Sequence, residues 1–297
     1  NTAAQYNGLT GGNPDLKPET ALTSSFGIQF TPSFLPDFRA NFDYYDIKIE
    51  NVIETIGADT ILKECLTSGV FCNDIHRSAI GSLWIGTSGY VIDALANVGQ
   101  LEEKGVDVDL AYSVPMQALG KLHFGLTGTY LTAYDVTPLA ANGQSYNCAG
   151  FYGKACSSVT AGAGTPVFKW RHVFRTTWTT PWAGLEVSAA WRYFSGVTVE
   201  GLSSNPLIAA APGSTIANGG ISNTDAKIPA FSYLDLTAAY NITDKIQIRV
   251  GANNVLDKSP PVIGASDLPS TSGNGNTFPQ VYDSLGRFIF GTVSVQF

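Results

Sequence analysis

The sequence predicts an all-β chain, an antiparallel transmembrane β-barrel of which about nine or ten strands are present as a partial wall. Three observations predict it. Apolar side chains recur at every second position in segment after segment, with charged or small polar residues between them; this is the period of a strand whose two faces meet different surroundings. The links between those segments alternate short and long, as in barrels with tight periplasmic turns and long external loops. Charged residues are only 14% of the 297, while Gly reaches 31 and the aromatics 11%, a balance weighted toward strands and turns. No run of about 18 apolar residues occurs, which excludes a transmembrane helix but not a membrane barrel, because alternation cancels in a hydropathy average.

Residues 20–31 open the series. They follow "NPDLKPE", where Pro14 and Pro18 fix φ and withhold a donor, ending a loop and starting an extended run. "TPSFLPD" is the short link to 37–50. A long loop, 51–89, follows, with one short helix expected over 58–66. A long strand then covers 90–113, although "GSLWIGTSGYVIDALANVG" could add a hairpin; in "VDVDLAY", Val106, Val108, Leu110 and Tyr112 oppose Asp107 and Asp109. "VPMQALG" leads to 119–135, where Leu122, Phe124, Leu126 and Tyr130 oppose His123, Thr127 and Thr129. Beyond the long loop 135–166, strand 167–180 sets Phe168, Trp170, Phe174 and Trp178 against Lys169, Arg171 and Arg175. "TPWAG" turns into 183–199, where Leu185, Val187, Ala189, Trp191 and Tyr193 oppose Glu186, Ser188 and Arg192. After the long link 199–228, strand 228–241 sets Leu234, Leu236, Ala238 and Tyr240 against Tyr233, Asp235 and Thr237. "NITD" is a tight turn into 245–256, where Ile246, Ile248 and Val250 oppose Gln247 and Arg249. That strand stops at "NNVLDKSPP", since Pro260 and Pro261 cannot donate to a ladder. Past loop 257–284, "GRFIFGTVSVQF" closes the series over 285–297.

One face of these strands is too charged for a dry core and the other too apolar for water. A two-layer sandwich would turn the apolar face inward and the charges to solvent. A membrane barrel instead turns the apolar face to lipid and the polar face to a wet lumen. On that reading Asp107, Asp109, Lys169, Arg171, Arg175, Glu186, Arg192, Asp235 and Arg249 face the lumen, where mutual pairing is the ordinary need of charges. Aromatics gather toward strand ends, Tyr112, Trp178, Trp182 and Tyr240 at one edge and Tyr44, Tyr130, Trp170 and Tyr193 at the other, as in interfacial girdles. Complete single-chain bacterial barrels have even strand numbers. An odd count near nine, its last strand running to the periplasm, predicts a chain that starts outside the cell and forms part of a larger barrel.

The four cysteines fall as two close pairs, Cys65 with Cys72 and Cys148 with Cys156, each in a polar, Gly-rich stretch of a long loop. Two local disulfides and an oxidising compartment are expected. The competing zinc reading meets neither the usual cysteine spacing nor a histidine cluster, as His76, His123 and His172 are scattered. A formal net charge of −7 argues against nucleic acid as a partner. Without an initiating Met, a basic n-region or an apolar h-region at the start, the chain is expected to begin after a signal peptide or inside a larger protein. No glycine-rich phosphate loop, nucleophile elbow or metal cluster appears, so neither a cofactor nor an enzyme is predicted. The strongest catalytic alternative is Asp74 with His76 in "NDIHR", the pairing used at the rim of omptin-type outer-membrane proteases. A passive porin is the other alternative.

Specific words also stand in order along the chain: "GGNPDLKPET", "NVGQLEEKGVDVDLAY", "KIPAFSYLDLTAAYNI", "IRVGANNVLDKSPP" and the final Phe297. Together they resemble the C-terminal part of TonB-dependent outer-membrane receptors, over nearly the whole length. The resemblance implies a 22-stranded barrel in the outer membrane of a Gram-negative bacterium, filled by an N-terminal plug. It implies external loops that bind a scarce nutrient such as an iron-siderophore, and uptake driven by the TonB complex pulling on the plug. It makes Phe297 the signal read by the barrel-assembly machinery. The plug, the TonB box and the other part of the barrel are absent from these words, so residues 1–297 are expected to be a fragment or one product of a split receptor, inactive in energised transport by itself. Trp84, Tyr146, Phe151 and Tyr152 are candidate ligand contacts in the loops, with packing of the loops as the competing role.

Overall fold

The structure is a computed structural model and describes residues 6–139, 143–153, 155–157, 164–182, 184–209, 226–264 and 276–296. Nine strands run in chain order, each hydrogen-bonded to the next: β1 (Thr20–Phe30), β2 (Phe38–Glu54), β3 (Ala96–Pro115), β4 (Lys121–Thr137), β5 (Trp170–Thr179), β6 (Leu185–Phe194), β7 (Phe231–Thr243), β8 (Ile246–Asn253) and β9 (Phe288–Val295). A tenth, two-residue strand, Tyr146–Asn147, pairs with β4. Sequential antiparallel pairing needs only hairpin links, and this is the meander of a membrane barrel wall.

The register keeps the two chemistries apart. On one face Phe174 lies between Leu126 and Trp191, Trp191 opposite Leu234, Leu236 opposite Ala189, Val250 opposite Ala238, and Ile248 opposite Val293. On the other, Arg171 lies opposite Thr129, Arg175 and Asp235 flank Ala190, and Glu186 and Arg249 flank Ala239. Slipping one strand by a residue would exchange the faces, at about 2–4 kcal/mol for each Arg or Lys turned into lipid near the midplane. Large apolar side chains of the first face stay uncovered, Trp191 at 43%, Leu236 at 40% and Val250 at 53% exposure. A sandwich would have buried them against a second sheet.

Strand ends depart from the periodicity where a loop competes for the backbone. The long strand expected at 90–113 is two elements: Tyr90–Ile92 pairs with Gly8–Leu9 and Ile75–His76, and β3 begins only at Ala96. Between them the Asp93 carboxylate accepts the Gly57 N–H at 3.0 Å. Strand 183–199 stops at Phe194: the Trp170 N–H is taken by Ser195 Oγ at 3.1 Å instead of a ladder carbonyl, and Val197–Val199 joins a separate small sheet with Phe151–Tyr152 and Lys227–Ile228. Strand 228–241 starts at Phe231, just past Pro229, which has no N–H to donate. Phe168 precedes the first residue of β5, so strand parity does not govern it. It is 8% exposed and packs on Phe194 and Tyr282 instead of facing outward. Phe297 lies outside the described residues.

The chain divides into two compact units. The first comprises residues 1–22, 48–102 and 136–145. In it the helix α1 (Ala58–Ser68) buries Ala58 and Ile61 against Leu83 and Val91, and ends at Gly69, whose φ of 74° suits a residue without a Cβ. The Cys65–Cys72 disulfide ties its last turn to the loop. The Asn97 amide works as a surrogate strand, accepting from the Lys17 N–H and donating to the Lys17 and Asn51 carbonyls, all at 2.8 Å. Glu54 ends β2 roughly 10 residues beyond Tyr44, outside the ~9–11 residues that a tilted strand needs to cross a bilayer. Burial raises its carboxyl pKa to about 7. The folded state therefore holds this proton more tightly than the unfolded chain. Its contribution is full below about 4.5 and is lost as pH rises through about 7. Glu54→Gln is expected to flatten that decline in thermal melts recorded between pH 5 and 8.

The second unit comprises residues 23–47, 103–135 and 146–297. Its core gathers residues of the connecting segments around Tyr233 of β7: Tyr152, Phe168, Val197, Val199, Ile228, Tyr233, Ile263, Phe278 and Tyr282 pack together. Cys148–Cys156 is fully buried beside it. Closing a loop with a separation of 8 restricts the unfolded chain by about 2–3 kcal/mol. Cys148→Ala with Cys156→Ala is expected to lower stability by about that amount, read as a shift of the urea midpoint in detergent. Dithiothreitol should open Cys65–Cys72 first, since Cys72 is exposed.

Candidate functional site

The charged residues of the second unit converge on the polar face of the wall. Arg175, Glu186, Asp235 and Arg249 line one open cavity of about 410 Å³ with Ser188 and Asn253. Arg175 donates to Ser188 Oγ at 3.3 Å, and Thr179 Oγ1 donates to Glu186 at 3.1 Å. Asp107 accepts from Thr129 Oγ1 at 2.7 Å and Asp109 from Thr127 Oγ1 at 3.0 Å. Lys169 sits just ahead of β5, its aliphatic chain against Gly150, where a Cβ would stand 3.0 Å from Lys169 Cε.

Arg192 is the hub. Its Nε and Nη2 donate to the two oxygens of Asp235 at 2.7 and 3.0 Å, and its Nη1 and Nη2 donate to the two oxygens of Asp283 at 3.0 and 2.5 Å. The guanidinium also lies over the Tyr233 ring, 4.7 Å from its centre. Asp283 and Asp235 are held in turn. The Asp283 N–H donates to the Tyr233 hydroxyl at 3.0 Å, and the Asn254 N–H donates to Asp235 at 2.8 Å. This planar fork between two carboxylates ties the segment 276–287 onto β6 and β7. Together with Asp235, Tyr282 and Phe288, Arg192 lines a cavity of about 530 Å³. A second cavity of about 290 Å³ opens beside Arg171, Glu103 and Phe168. The Tyr45 hydroxyl donates to Glu103 at 3.1 Å.

The loop aromatics have different fates. Tyr152 is fully buried, its ring edge-on to Phe278, and Tyr146 is 8% exposed; neither offers a ligand a free face, which corrects the expectation for both. Phe151 is half-buried and Trp84 is 50% exposed, the latter in the first unit. His76 stacks on Tyr90 at 4.7 Å, and Asp74 closes a single 3₁₀ turn, Cys72–Asp74. Among the described residues no group of three His, Cys, Asp or Glu could hold a metal ion, and no helix is long and apolar enough to cross a membrane. Asp283 and Glu103 escaped sequence reasoning as members of this site, while parity had already put Tyr233 on the face of Asp235. Asp283 lies 91 residues from Arg192, and nothing in "VYDSLGR" announces an inward-turned carboxylate.

The chain can be set beside known proteins. A family model described as TonB dependent receptor-like, beta-barrel, matches residues 1–255. No curated protein matches. A mutant of the ferric enterobactin receptor PfeA from Pseudomonas aeruginosa, solved in complex with enterobactin, is similar at a TM-score of 0.59 and 15% identity, over 99% of this chain and 34% of that one. The siderophore receptor PirA from Acinetobacter baumannii is similar at a TM-score of 0.53 and 15% identity, over 97% of this chain and 33% of that one. This chain thus spans about a third of the length of those receptors, and at such identities the likeness is one of fold.

Proposed function

The chain belongs to the TonB-dependent receptor β-barrel family, and from that premise we propose that it forms part of the wall of a receptor for energised uptake of a scarce nutrient, with its charged face toward the lumen. Its place is the outer membrane of a Gram-negative bacterium, and the family is one of transporters, not enzymes. The observation that carries the proposal is the strict division of the wall into an uncovered apolar face and a face whose charges are compensated by partners. Lumen-facing charges of this kind would meet a plug, and the long connections would meet the nutrient outside the cell. Similarity to siderophore receptors makes a ferric siderophore the first nutrient to test. Energised transport draws on a plug and the TonB complex as well as on this wall.

Uptake of a labelled nutrient by cells carrying the whole receptor is expected to stop when TonB is deleted. Ion conductance by the purified receptor in planar bilayers, with uptake independent of TonB, would instead identify a passive porin and overturn the proposal.

A further inference from the structure

At the end of the wall where the long connections emerge, two cavities flank one short stretch of chain, since Gln280 and Val281 line both. The smaller, about 290 Å³, has an apolar floor that includes Leu131, Phe168 and Phe194 and a polar rim that includes Thr129, Tyr134 and Gln280. The charged residues among its described lining are Glu103 and Arg171, one of each sign. In the larger cavity the Arg192 fork is taken up by Asp235 and Asp283. Neither cavity presents a surplus of positive charge.

Resting on the receptor reading, we propose that this mouth binds a neutral, polyhydroxylated ring compound, a carbohydrate, in preference to an anionic ferric siderophore. A ferric tris-catecholate is a trianion and needs cations in excess where it sheds water. Here the two cavities carry Arg171 and Arg192 against Glu103, Asp235 and Asp283, and a lining of that sign turns an anion away. A sugar ring needs the opposite provision. Its C–H faces lie on aromatic and aliphatic side chains, here the half-buried Phe194 and Val281, while hydroxyls and amides fix its orientation. Thr129, Tyr134 and Gln280 supply such groups, and a site of ~300 Å³ is at the low end for small-molecule pockets, suited to one ring system.

The test is calorimetry on the receptor isolated from its native outer membrane, titrated with maltotriose, cellotriose and xylotriose and with ferric enterobactin. At least one sugar is expected to bind saturably, with little dependence on salt. Gln280 is exposed, so Gln280→Ala should fold normally and weaken that sugar about three- to tenfold, the worth of one neutral hydrogen bond. Saturable binding of ferric enterobactin that weakens with salt and is lost in Arg171→Gln overturns the assignment, as does failure of all three sugars to bind. Because binding is read apart from transport, either result leaves TonB-dependent uptake standing. Loss of TonB dependence strikes the receptor reading alone.

Discussion

Leu236→Arg is expected to keep the chain from assembling into outer-membrane fractions, whereas Thr237→Arg, one residue along the same strand, is expected to assemble normally. Leu236 is exposed on the apolar face, between Ala189 and Ala252 of the neighbouring strands. An arginine there must leave its guanidinium in hydrocarbon or bend toward the headgroups, at about 2–4 kcal/mol near the midplane. Thr237 lines the polar cavity that also holds Asp235 and Glu186, where an added cation finds carboxylates and water. The introduced side chain, its charge and the strand are the same for the two variants, and the face differs. Heat-modifiable migration in gels and urea extraction of membranes read the difference. Equal behaviour of the two variants would refute the assignment of lipid and lumen faces.

How much of this was legible beforehand depends on the range of the interaction. Each wall strand carries its own period-two record, so Leu185 to Tyr193 or Leu234 to Tyr240 declare their faces without reference to any partner, and all nine strands stand near their expected places. The helix at 58–66 runs two residues further, to Ser68, because the glycine C-cap Gly69 sets its end. Failures cluster where a second element competes. Val197–Val199 has the composition of a strand continuation, yet pairs with Phe151–Tyr152, with Thr198 opposite Phe151 and Val199 opposite Tyr152. Phe168 alternates correctly with Lys169 and Trp170, yet belongs to a core built from loop residues as distant as Tyr282. The lining of the polar face was half legible. Arg192 and Asp235 follow from parity, while Asp283 and Glu103 depend on how a loop and a neighbouring strand come to lie beside them.

The Arg192 fork gives the second large effect. Arg192→Ala leaves Asp235 and Asp283 facing one another with no cation between them, and both carboxylates are only partly exposed, at 16% and 23% of the side chain. Breaking a buried pair by removing one partner costs about 3–5 kcal/mol, and partial access to water brings the expectation to about 2–3 kcal/mol. The loss should be local first. Segment 276–287 keeps its Tyr233 contact but loses its anchor on β6, so limited proteolysis is expected to cut there before the wall opens. Arg192→Lys should recover only part of the loss, because one ammonium cannot span two carboxylates in the planar geometry of the fork. The decisive variant neutralises all three groups: Arg192→Met with Asp235→Asn and Asp283→Asn removes the charges together, so stability should return most of the way to that of the parent chain. If the triple variant is cut as readily as Arg192→Ala, the packing of the arginine stem over Tyr233, and not its charge, holds the segment in place.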